Sequence, residues 1–126
     1  RHEDISLHRM HGERYILPES SAALINTARA ERRRIIAAGT TSLRVLESTL
    51  HDGVNLAGEG MTELFIHPPA GVRSIDALLT NFHTPRATLL MLVAAFAGYD
   101  PVMEAYGSAV ENMYRFFSYG DAMLIL

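Results

Sequence analysis

The run of residues 89–97, Leu-Leu-Met-Leu-Val-Ala-Ala-Phe-Ala, is apolar without interruption and ends at Gly98. Thr84 and Pro85 precede it, and a threonine N-cap followed by proline favours the start of a helix, as glycine favours its end. A helix that is apolar on all sides is normally buried, and this run is shorter than the ~20 residues that span a membrane. We therefore predict a helix that begins just after residue 83 and lies in the core of a globular domain.

Two short apolar runs predict the sheet on which this helix packs. Ile35–Ala38 has the pattern of a strand that is covered on both faces, which is typical of parallel sheets. A further strand is expected over roughly residues 75–80, and it contains the apolar segment Ala77–Leu79. Leu43, Leu46 and Leu50 recur at helical spacing between them. This alternation predicts an α/β fold with a mostly parallel sheet flanked by helices.

Weaker patterns predict the remaining elements. We expect a strand over residues 15–17, helices over about 18–33 and 42–50, a loop over 54–61, a strand over 62–67, and a helix entered at Asp100 and Pro101. The direction of the last strand, residues 122–126, stays open. It is antiparallel if the two preceding helices form a hairpin that returns the chain, and parallel if residues 115–120 cross the domain at ~3.3 Å per residue.

Composition limits the chemistry that this chain can supply. Its 126 residues, 48% of them hydrophobic, suit one globular domain, and the 11 basic residues are all arginine. Without lysine or cysteine there is no Schiff base, thiolate nucleophile or disulfide, although arginine still suits phosphate and carboxylate. The net charge of -3 argues against binding to nucleic acid through overall electrostatic attraction. No metal site is predicted, and with no signal peptide or membrane span we expect a cytoplasmic protein.

Sites in α/β folds lie at the carboxyl ends of strands, a rule that selects the turn after the first apolar run. Thr40, Thr41 and Ser42 follow Gly39 there and expose backbone N–H groups that attract a carboxylate or phosphate. Ordinary capping by Thr41 or Ser42 explains the same residues. Arg44 either adds to this anion site or pairs with Glu47, and the residues alone favour capping and pairing.

The same rule selects the end of the second apolar run. Asn81 is able to orient a substrate and His83 to transfer a proton, although a lone histidine is more often structural. Asp121 precedes the last strand and reaches the same edge only if that strand is antiparallel.

The densest group of aromatic residues follows the last predicted helix. Phe117 and Tyr119 lie near Arg115 and suit stacking on a base or an adenine ring, or they are core residues at the helix exit. Gly120 permits a close approach of the chain at this point.

Several motifs occur together in one chain. They are Glu3-Asp4-Ile5 with His8, Met10-His11, Gly39-Thr40-Thr41-Ser42-Leu43-Arg44 with Leu46-Glu47, Phe65-Ile66, Thr80-Asn81-Phe82-His83, Thr88-Leu89-Leu90-Met91-Leu92-Val93, Ala95-Phe96-Ala97-Gly98 and Tyr114–Ile125. With them the chain resembles the S-adenosylmethionine:tRNA ribosyltransferase-isomerases of the queuosine pathway over nearly its full length. It departs from the family at Gly12 and Ala87, where serine is usual, and at Thr84, where leucine is usual.

The resemblance implies a larger enzyme. Family members are much longer and carry an inserted β-barrel domain upstream, so residues 1–126 are expected to be the C-terminal part of the α/β catalytic domain of a two-domain, monomeric enzyme. The absence of an initial methionine agrees with this expectation.

The resemblance also implies a reaction. The ribosyl moiety of S-adenosylmethionine is transferred and isomerised onto the aminomethyl-deazaguanine wobble base of tRNA, giving epoxyqueuosine-tRNA, adenine and methionine. S-adenosylmethionine is then a co-substrate, no cofactor is bound permanently, and the partner is the tRNA anticodon stem-loop. Two alternatives are an inactive fragment and a small-molecule-binding α/β module without catalysis.

Roles follow residue by residue on that frame. Three residues are expected to be catalytic. His83 acts as general base or acid, and Asn81 orients the ribose or the nucleobase. Asp121 binds the ribose hydroxyls or the substrate amine. The expected ligands of S-adenosylmethionine are Thr40, Thr41, Ser42, Arg44 and Tyr119. The expected contacts with the tRNA substrate are Arg115, Phe117 and His11.

Overall fold

Helices and short strands alternate along the chain in the computed structural model, which describes residues 12–62, 71–82, 88–116 and 120–126. The strands are β1 Glu13–Leu17, β2 Ile36–Ala38, β3 Leu50–His51, β4 Val54–Asn55, β5 Gly58–Thr62, β6 Ala77–Asn81 and β7 Ala122–Ile125. The helices are α1 Glu19–Ala30, α2 Thr40–Thr49, α3 Thr88–Ala97 and α4 Tyr99–Glu111. The predicted α/β class is confirmed, and the strands form small sheets.

The central sheet has the strand order β2-β6-β7. β2 runs parallel to β6, with Ala37 opposite Leu78, whereas β7 runs antiparallel to β6, with Leu124 opposite Leu79. β1 and β5 form an antiparallel ribbon, and β3 and β4 form a hairpin. Among the described strand pairs only β2–β6 is parallel, so the mostly parallel sheet expected from the sequence is not what these strands form. The apolar pattern of a strand reports its burial and carries no information on its direction.

The direction of β7 follows from the two helices before it. α3 ends where the Gly98 N–H donates to the Ala94 carbonyl at 2.7 Å, and the same Gly98 is the N-cap of α4 with φ at 94°. The two helices meet at a bend of 120°. This bend returns the chain to the edge where β6 ends, so the next strand runs in the opposite direction.

α3 is the core helix that its sequence predicts. Leu90, Leu92 and Val93 are at most 1% exposed, and they belong to one apolar cluster with Leu43 and Leu78. In the described part of the chain no single helix is long and apolar enough to cross a membrane. Only α3 and α4 taken together have the length and composition of a membrane span, and they are bent against each other by 120°.

Other boundaries differ from the sequence prediction. The expected loop over residues 54–61 contains β4 and most of β5, and α4 is capped by Gly98, two residues before the expected entry at Asp100. α1 ends at Ala30, where Arg32 adopts a left-handed conformation with φ at 59°. The expected start of α3 and most of the strand over 62–67 lie outside the described residues.

Candidate active site

Asn81 and Asp121 lie side by side at the edge of the central sheet where β6 ends. The Phe82 N–H donates to the Asp121 carbonyl at 3.3 Å, and Asn81 is the register partner of Ala122. None of the described residues forms a hydrogen bond with the Asn81 side chain, which is half-buried. The antiparallel β7 therefore brings two of the expected catalytic residues to one edge.

A closed turn fixes the Asp121 carboxylate. Its Oδ2 atom accepts a hydrogen bond from the Arg115 N–H at 2.7 Å, and the Asp121 N–H donates to the Arg115 carbonyl at 2.8 Å. The Arg115 guanidinium lies 3.6 Å from Oδ1. The Arg115 backbone N–H holds the pKa of Asp121 below its ordinary value; desolvation opposes this and the charge of Arg115 reinforces it. Asp121 is consequently a carboxylate at neutral pH.

Gly120 makes this turn possible. A Cβ atom at residue 120 would lie 2.5 Å from the Phe116 carbonyl oxygen and 2.6 Å from the Arg115 carbonyl oxygen. Both contacts are with backbone, so a larger residue displaces the turn itself. The close approach that the sequence suggests for Gly120 is present.

An aromatic cluster joins the turn to the end of β6. Phe82 is 4% exposed, and its ring centroid lies 5.2 Å from that of Tyr106, 5.4 Å from Phe116 and 5.8 Å from Tyr114. The contacts with Tyr106 and Tyr114 are edge-on, an arrangement that is favourable at these distances. Phe82 was not singled out in the sequence, although an apolar ring between Asn81 and His83 in a polar junction is a signal for such an anchor.

The N-terminus of α2 lies at the same edge. The Gly39 N–H donates to the Leu79 carbonyl at 2.7 Å, two residues before Asn81. Gly39 is the N-cap with φ at 94°, and among the described residues no side chain caps the helix, so the capping expected from Thr41 or Ser42 is wrong. Thr41 and Ser42 are exposed and Thr40 is buried. The first turn of α2 therefore begins without a side-chain cap beside the end of β6.

Arg44 points away from solvent and holds the β1–β5 ribbon. Its side chain is 3% exposed, pairs with the Glu13 carboxylate in β1 and donates to the Thr62 carbonyl at 3.3 Å. Glu47 instead accepts hydrogen bonds from the Ser74 N–H at 3.0 Å and the Ser74 hydroxyl at 2.6 Å. The expected Arg44–Glu47 pair is thus wrong. Glu13, which also lies 3.5 Å from the Thr41 hydroxyl, was missed because it is distant in sequence from both partners.

Four of the expected site residues, His83, Phe117, Tyr119 and His11, lie outside the described residues. Of the described ones, Asn81, Asp121 and Arg115 are brought together by hydrogen bonds and strand pairing, and the α2 turn joins them through Leu79. Thr41 and Ser42 also border an apolar groove of about 400 Å³ that is lined by β2 and by side chains of β1, α1 and α2.

The model of the queuosine biosynthesis protein family matches residues 1–125. The chain belongs to this family. Because the match includes every described element, the edge formed by Asn81, Asp121 and the α2 turn is part of the family fold.

Relatives agree over the whole chain. An S-adenosylmethionine:tRNA ribosyltransferase-isomerase of Aromatoleum aromaticum is 57% identical over 99% of this chain, and one of Thermus thermophilus is 56% identical over 98%. The crystal structure of the S-adenosylmethionine tRNA ribosyltransferase of Thermotoga maritima, 51% identical, superimposes with a TM-score of 0.81 over 90% of this chain and 40% of its own. The chain spans 36% of the length of the first two relatives, about a third.

Proposed function

We propose that this chain contributes to an enzyme that transfers and isomerises the ribosyl moiety of S-adenosylmethionine onto the aminomethyl-deazaguanine wobble base of tRNA. The products are epoxyqueuosine-tRNA, adenine and methionine. The observation that carries the proposal is the 57% identity, over 99% of the chain, to a relative that bears the name of this activity.

The activity belongs to a longer protein in this proposal. The chain spans about a third of its relatives, 36%, so residues 1–126 are assigned to the C-terminal part of an α/β catalytic domain, with the remainder and an inserted β-barrel supplied upstream. We expect the whole enzyme to be a cytoplasmic monomer that uses S-adenosylmethionine as a co-substrate and holds no permanent cofactor.

In this proposal the site supplies a base, a carboxylate ligand and a binding site for the methionyl group. His83 removes the proton from the ribose carbon next to the sulfonium, adenine leaves, the amine of the tRNA base attacks, and the epoxide forms as methionine departs. The low pKa of Asp121 makes it a poor proton acceptor near neutrality but a suitable ligand for ribose hydroxyls or the substrate amine. Asn81, whose side chain no described residue engages, orients the ribose.

The first turn of α2 suits the methionine carboxylate. Helix N-termini attract anions, and no side chain in the described part of the chain caps this one. Thr40, Thr41 and Ser42 are assigned to this contact. Arg44 is buried against Glu13, which favours a role in holding α2 in place. Tyr119 is assigned to stacking on adenine, Phe117 and His11 to the deazaguanine, and Arg115 to an anticodon phosphate.

The direct test uses a full-length chimera, in which this chain replaces the matching residues of the Thermus thermophilus relative. Release of adenine is measured with S-adenosylmethionine and an anticodon stem-loop that carries the aminomethyl-deazaguanine. We expect turnover by the chimera, and a loss of about 10²–10⁴-fold in kcat for His83→Ala with substrate binding unchanged. His51→Ala, an exposed histidine in β3, is the matched control. Near-normal turnover of His83→Ala contradicts the base assignment.

Calorimetry tests the anion site. Ser42→Ala and Thr41→Ala in the chimera are expected to weaken the binding of S-adenosylmethionine, while Thr27→Ala in α1 leaves it unchanged. Equal affinity in all three variants contradicts the assignment. If the 126-residue chain alone binds S-adenosylmethionine as tightly as the chimera does, but a gel shift with the stem-loop fails at every salt concentration, the chain is a small-molecule-binding module without a tRNA role.

A further inference from the structure

A polar cleft of about 430 Å³ opens at the end of α2 that is remote from the candidate active site. Its walls come from the last turns of α1 and α2, the β3–β4 turn and the segment that leads into β6, through Arg29, Glu47, Leu50, Asp52, Gly53 and Arg73. The 10 residues of α2 span about 15 Å, since a helix rises about 1.5 Å per residue. The cleft is therefore separate from the site formed by Asn81 and Asp121.

Two guanidinium groups of this cleft lack a carboxylate partner among the described residues. Arg29 donates to the Ser74 carbonyl at 3.0 Å and to the Asn26 amide oxygen at 3.3 Å, and both acceptors are neutral. Arg73 is exposed, and no described residue forms a hydrogen bond or an ion pair with its guanidinium. The contacts of Arg29 hold one guanidinium in place, while that of Arg73 is able to close on a ligand.

The acidic side chains of the cleft form no ion pair with these arginines in the described part of the chain. The Glu47 carboxylate instead accepts hydrogen bonds from the Arg73 N–H at 3.1 Å, the Ser74 N–H at 3.0 Å and the Ser74 hydroxyl at 2.6 Å. Asp52 is exposed in the turn between β3 and β4. Glu47 is thereby engaged by neutral donors, and Asp52 stays open to solvent.

The end of α1 adds positive charge beside the cleft. Four of the chain's 11 arginines lie between residues 29 and 34. Arg33 pairs with Glu31 at 2.9 Å, whereas Arg32 and Arg34 are exposed and pair with none of the described side chains. The charged residues that line the cleft balance one another formally, so Arg32 and Arg34 make the local charge positive.

The backbone of Arg32 is a second sign that this charge has a use. Its φ of 59° is left-handed, a conformation that is unfavourable for a residue with a Cβ atom and that is enriched at functional sites. Glycine adopts this conformation without cost, yet an arginine occupies it here. The chain thus retains a guanidinium beside the cleft at the expense of backbone strain.

We infer that the cleft formed by Arg29 and Arg73, with Arg32 and Arg34 in the segment that follows α1, binds a phosphate group of an RNA backbone. Guanidinium groups bind phosphate oxygens through two parallel hydrogen bonds, and their charge releases counterions from a polynucleotide. The cleft lies about 15 Å from the first turn of α2, a distance that roughly five steps of a nucleic-acid duplex cover. A stem-loop whose wobble base occupies the active site is long enough to reach the cleft with its stem. The inference rests on the proposed function for the identity of the RNA.

Binding of the anticodon stem-loop to the full-length chimera at increasing salt concentration tests the cleft. Arg73→Gln removes an exposed guanidinium that no described residue contacts. Arg32→Gly removes a second charge and suits the left-handed backbone, so it does not unfold the chain. Arg14→Gln is the matched control, because Arg14 is an exposed arginine of β1 that lies 3.7 Å from Glu59. Thermal unfolding of each variant is measured in parallel.

We expect Arg73→Gln to weaken binding of the stem-loop about tenfold at low salt and to reduce the slope of log K against log salt concentration by about one, because one phosphate contact is lost. Arg32→Gly changes both quantities in the same direction, and Arg14→Gln changes neither. Unchanged affinity and slope in both Arg73→Gln and Arg32→Gly overturn the inference. An equal loss in Arg14→Gln also overturns it, because the effect is then one of net charge alone.

Inorganic phosphate distinguishes the source of the ligand. Calorimetry compares its binding to the wild-type chimera and to Arg73→Gln. If Arg73→Gln abolishes the binding of inorganic phosphate but leaves the affinity for the stem-loop unchanged, the cleft takes a small free anion and the inference on RNA is overturned. Loss of stem-loop affinity in the same variant supports it.

Adenine release by the same chimera separates this inference from the proposed function. Turnover together with a salt slope that Arg73→Gln leaves unchanged contradicts the cleft and leaves the function standing. Binding of the stem-loop that depends on Arg73, without release of adenine, supports the cleft and contradicts the function. Where both stand, Arg73→Gln raises KM for the stem-loop, while kcat and the affinity for S-adenosylmethionine keep their wild-type values.

Discussion

Replacement of Phe82 by leucine tests whether the aromatic cluster fixes the candidate site. Phe82 contacts three described rings, those of Tyr106, Tyr114 and Phe116, at centroid distances between 5.2 and 5.8 Å. Leucine keeps much of the apolar burial but loses all three ring contacts. The variant therefore isolates the contribution of the cluster from that of simple burial.

The expected loss is large for a domain of this size. Aromatic pairs contribute about 0.5–1.5 kcal/mol each beyond their buried area, so three pairs amount to about 1.5–4.5 kcal/mol. Leucine recovers part of this through its own packing, and we expect a loss of about 2–3 kcal/mol, against a total stability of about 5–15 kcal/mol for a typical domain. Tyr114→Leu removes the one described ring contact of a half-exposed ring and is expected to cost about 0.5–1 kcal/mol.

Urea unfolding of the wild type, Phe82→Leu and Tyr114→Leu measures these differences. An unchanged slope with denaturant shows that the variants differ in stability alone. A double-mutant cycle between Phe82→Leu and Phe116→Leu is expected to give a coupling of about 1 kcal/mol. If Phe82→Leu costs no more than Tyr114→Leu, or if the coupling vanishes, the cluster does not hold the end of β6 as described.

Three further changes address the turn at residues 115–121 and the end of α4. Gly120→Ala is expected to cost more than about 2 kcal/mol in urea unfolding, because its Cβ would lie 2.5 Å from a backbone oxygen, whereas Gly107→Ala meets open space and stabilises the chain. Asp121→Asn should lower the free energy of unfolding at pH 6. The difference in this free energy between the variant and the wild type should shrink as the pH falls from about 3.9, the ordinary aspartate pKa, through the lower pKa of Asp121 in the folded state. A difference that stays constant with pH contradicts the Arg115 contact. Met113→Gly should raise stability by about 1 kcal/mol, because Met113 is 88% exposed with φ at 58°; a lower melting temperature contradicts this.

The buried helix and the two central strands are predictable from local pattern alone. The apolar run over residues 89–97 has no polar side that solvent could wet, so any fold must bury it. The β5 strand was missed because Gly58 and Gly60 interrupt its pattern. In the fold the missing side chain of Gly60 makes room for Tyr15, whose hydroxyl would lie 3.1 Å from an added Cβ. The contact with Tyr15 therefore explains Gly60, although the local sequence around this glycine predicts a loop.

The sequence singles out Asn81, Asp121 and Arg115 as candidates, but it does not predict the contacts between them. Asn81 follows a strand and Asp121 precedes one, and their contact depends on the direction of β7, which no local pattern encodes. Glu13 and Arg44 are joined across 31 positions of sequence. Only the assembled fold shows that Arg44 is buried against the β1–β5 ribbon. It also shows that Glu47 accepts hydrogen bonds from Ser74, in the segment that leads into β6.

The pairing of Arg44 with Glu13 has a consequence for how this protein changes over time. Arg44 lies in the first half of α2, close to the turn assigned to the methionine carboxylate, while Glu13 belongs to the β1–β5 ribbon. Loss of Glu13 removes the carboxylate from a guanidinium that is 3% exposed, and desolvated charges tolerate such losses poorly. We expect the two positions to be inherited and replaced together, because the burial of Arg44 ties the β1–β5 ribbon to the first half of α2.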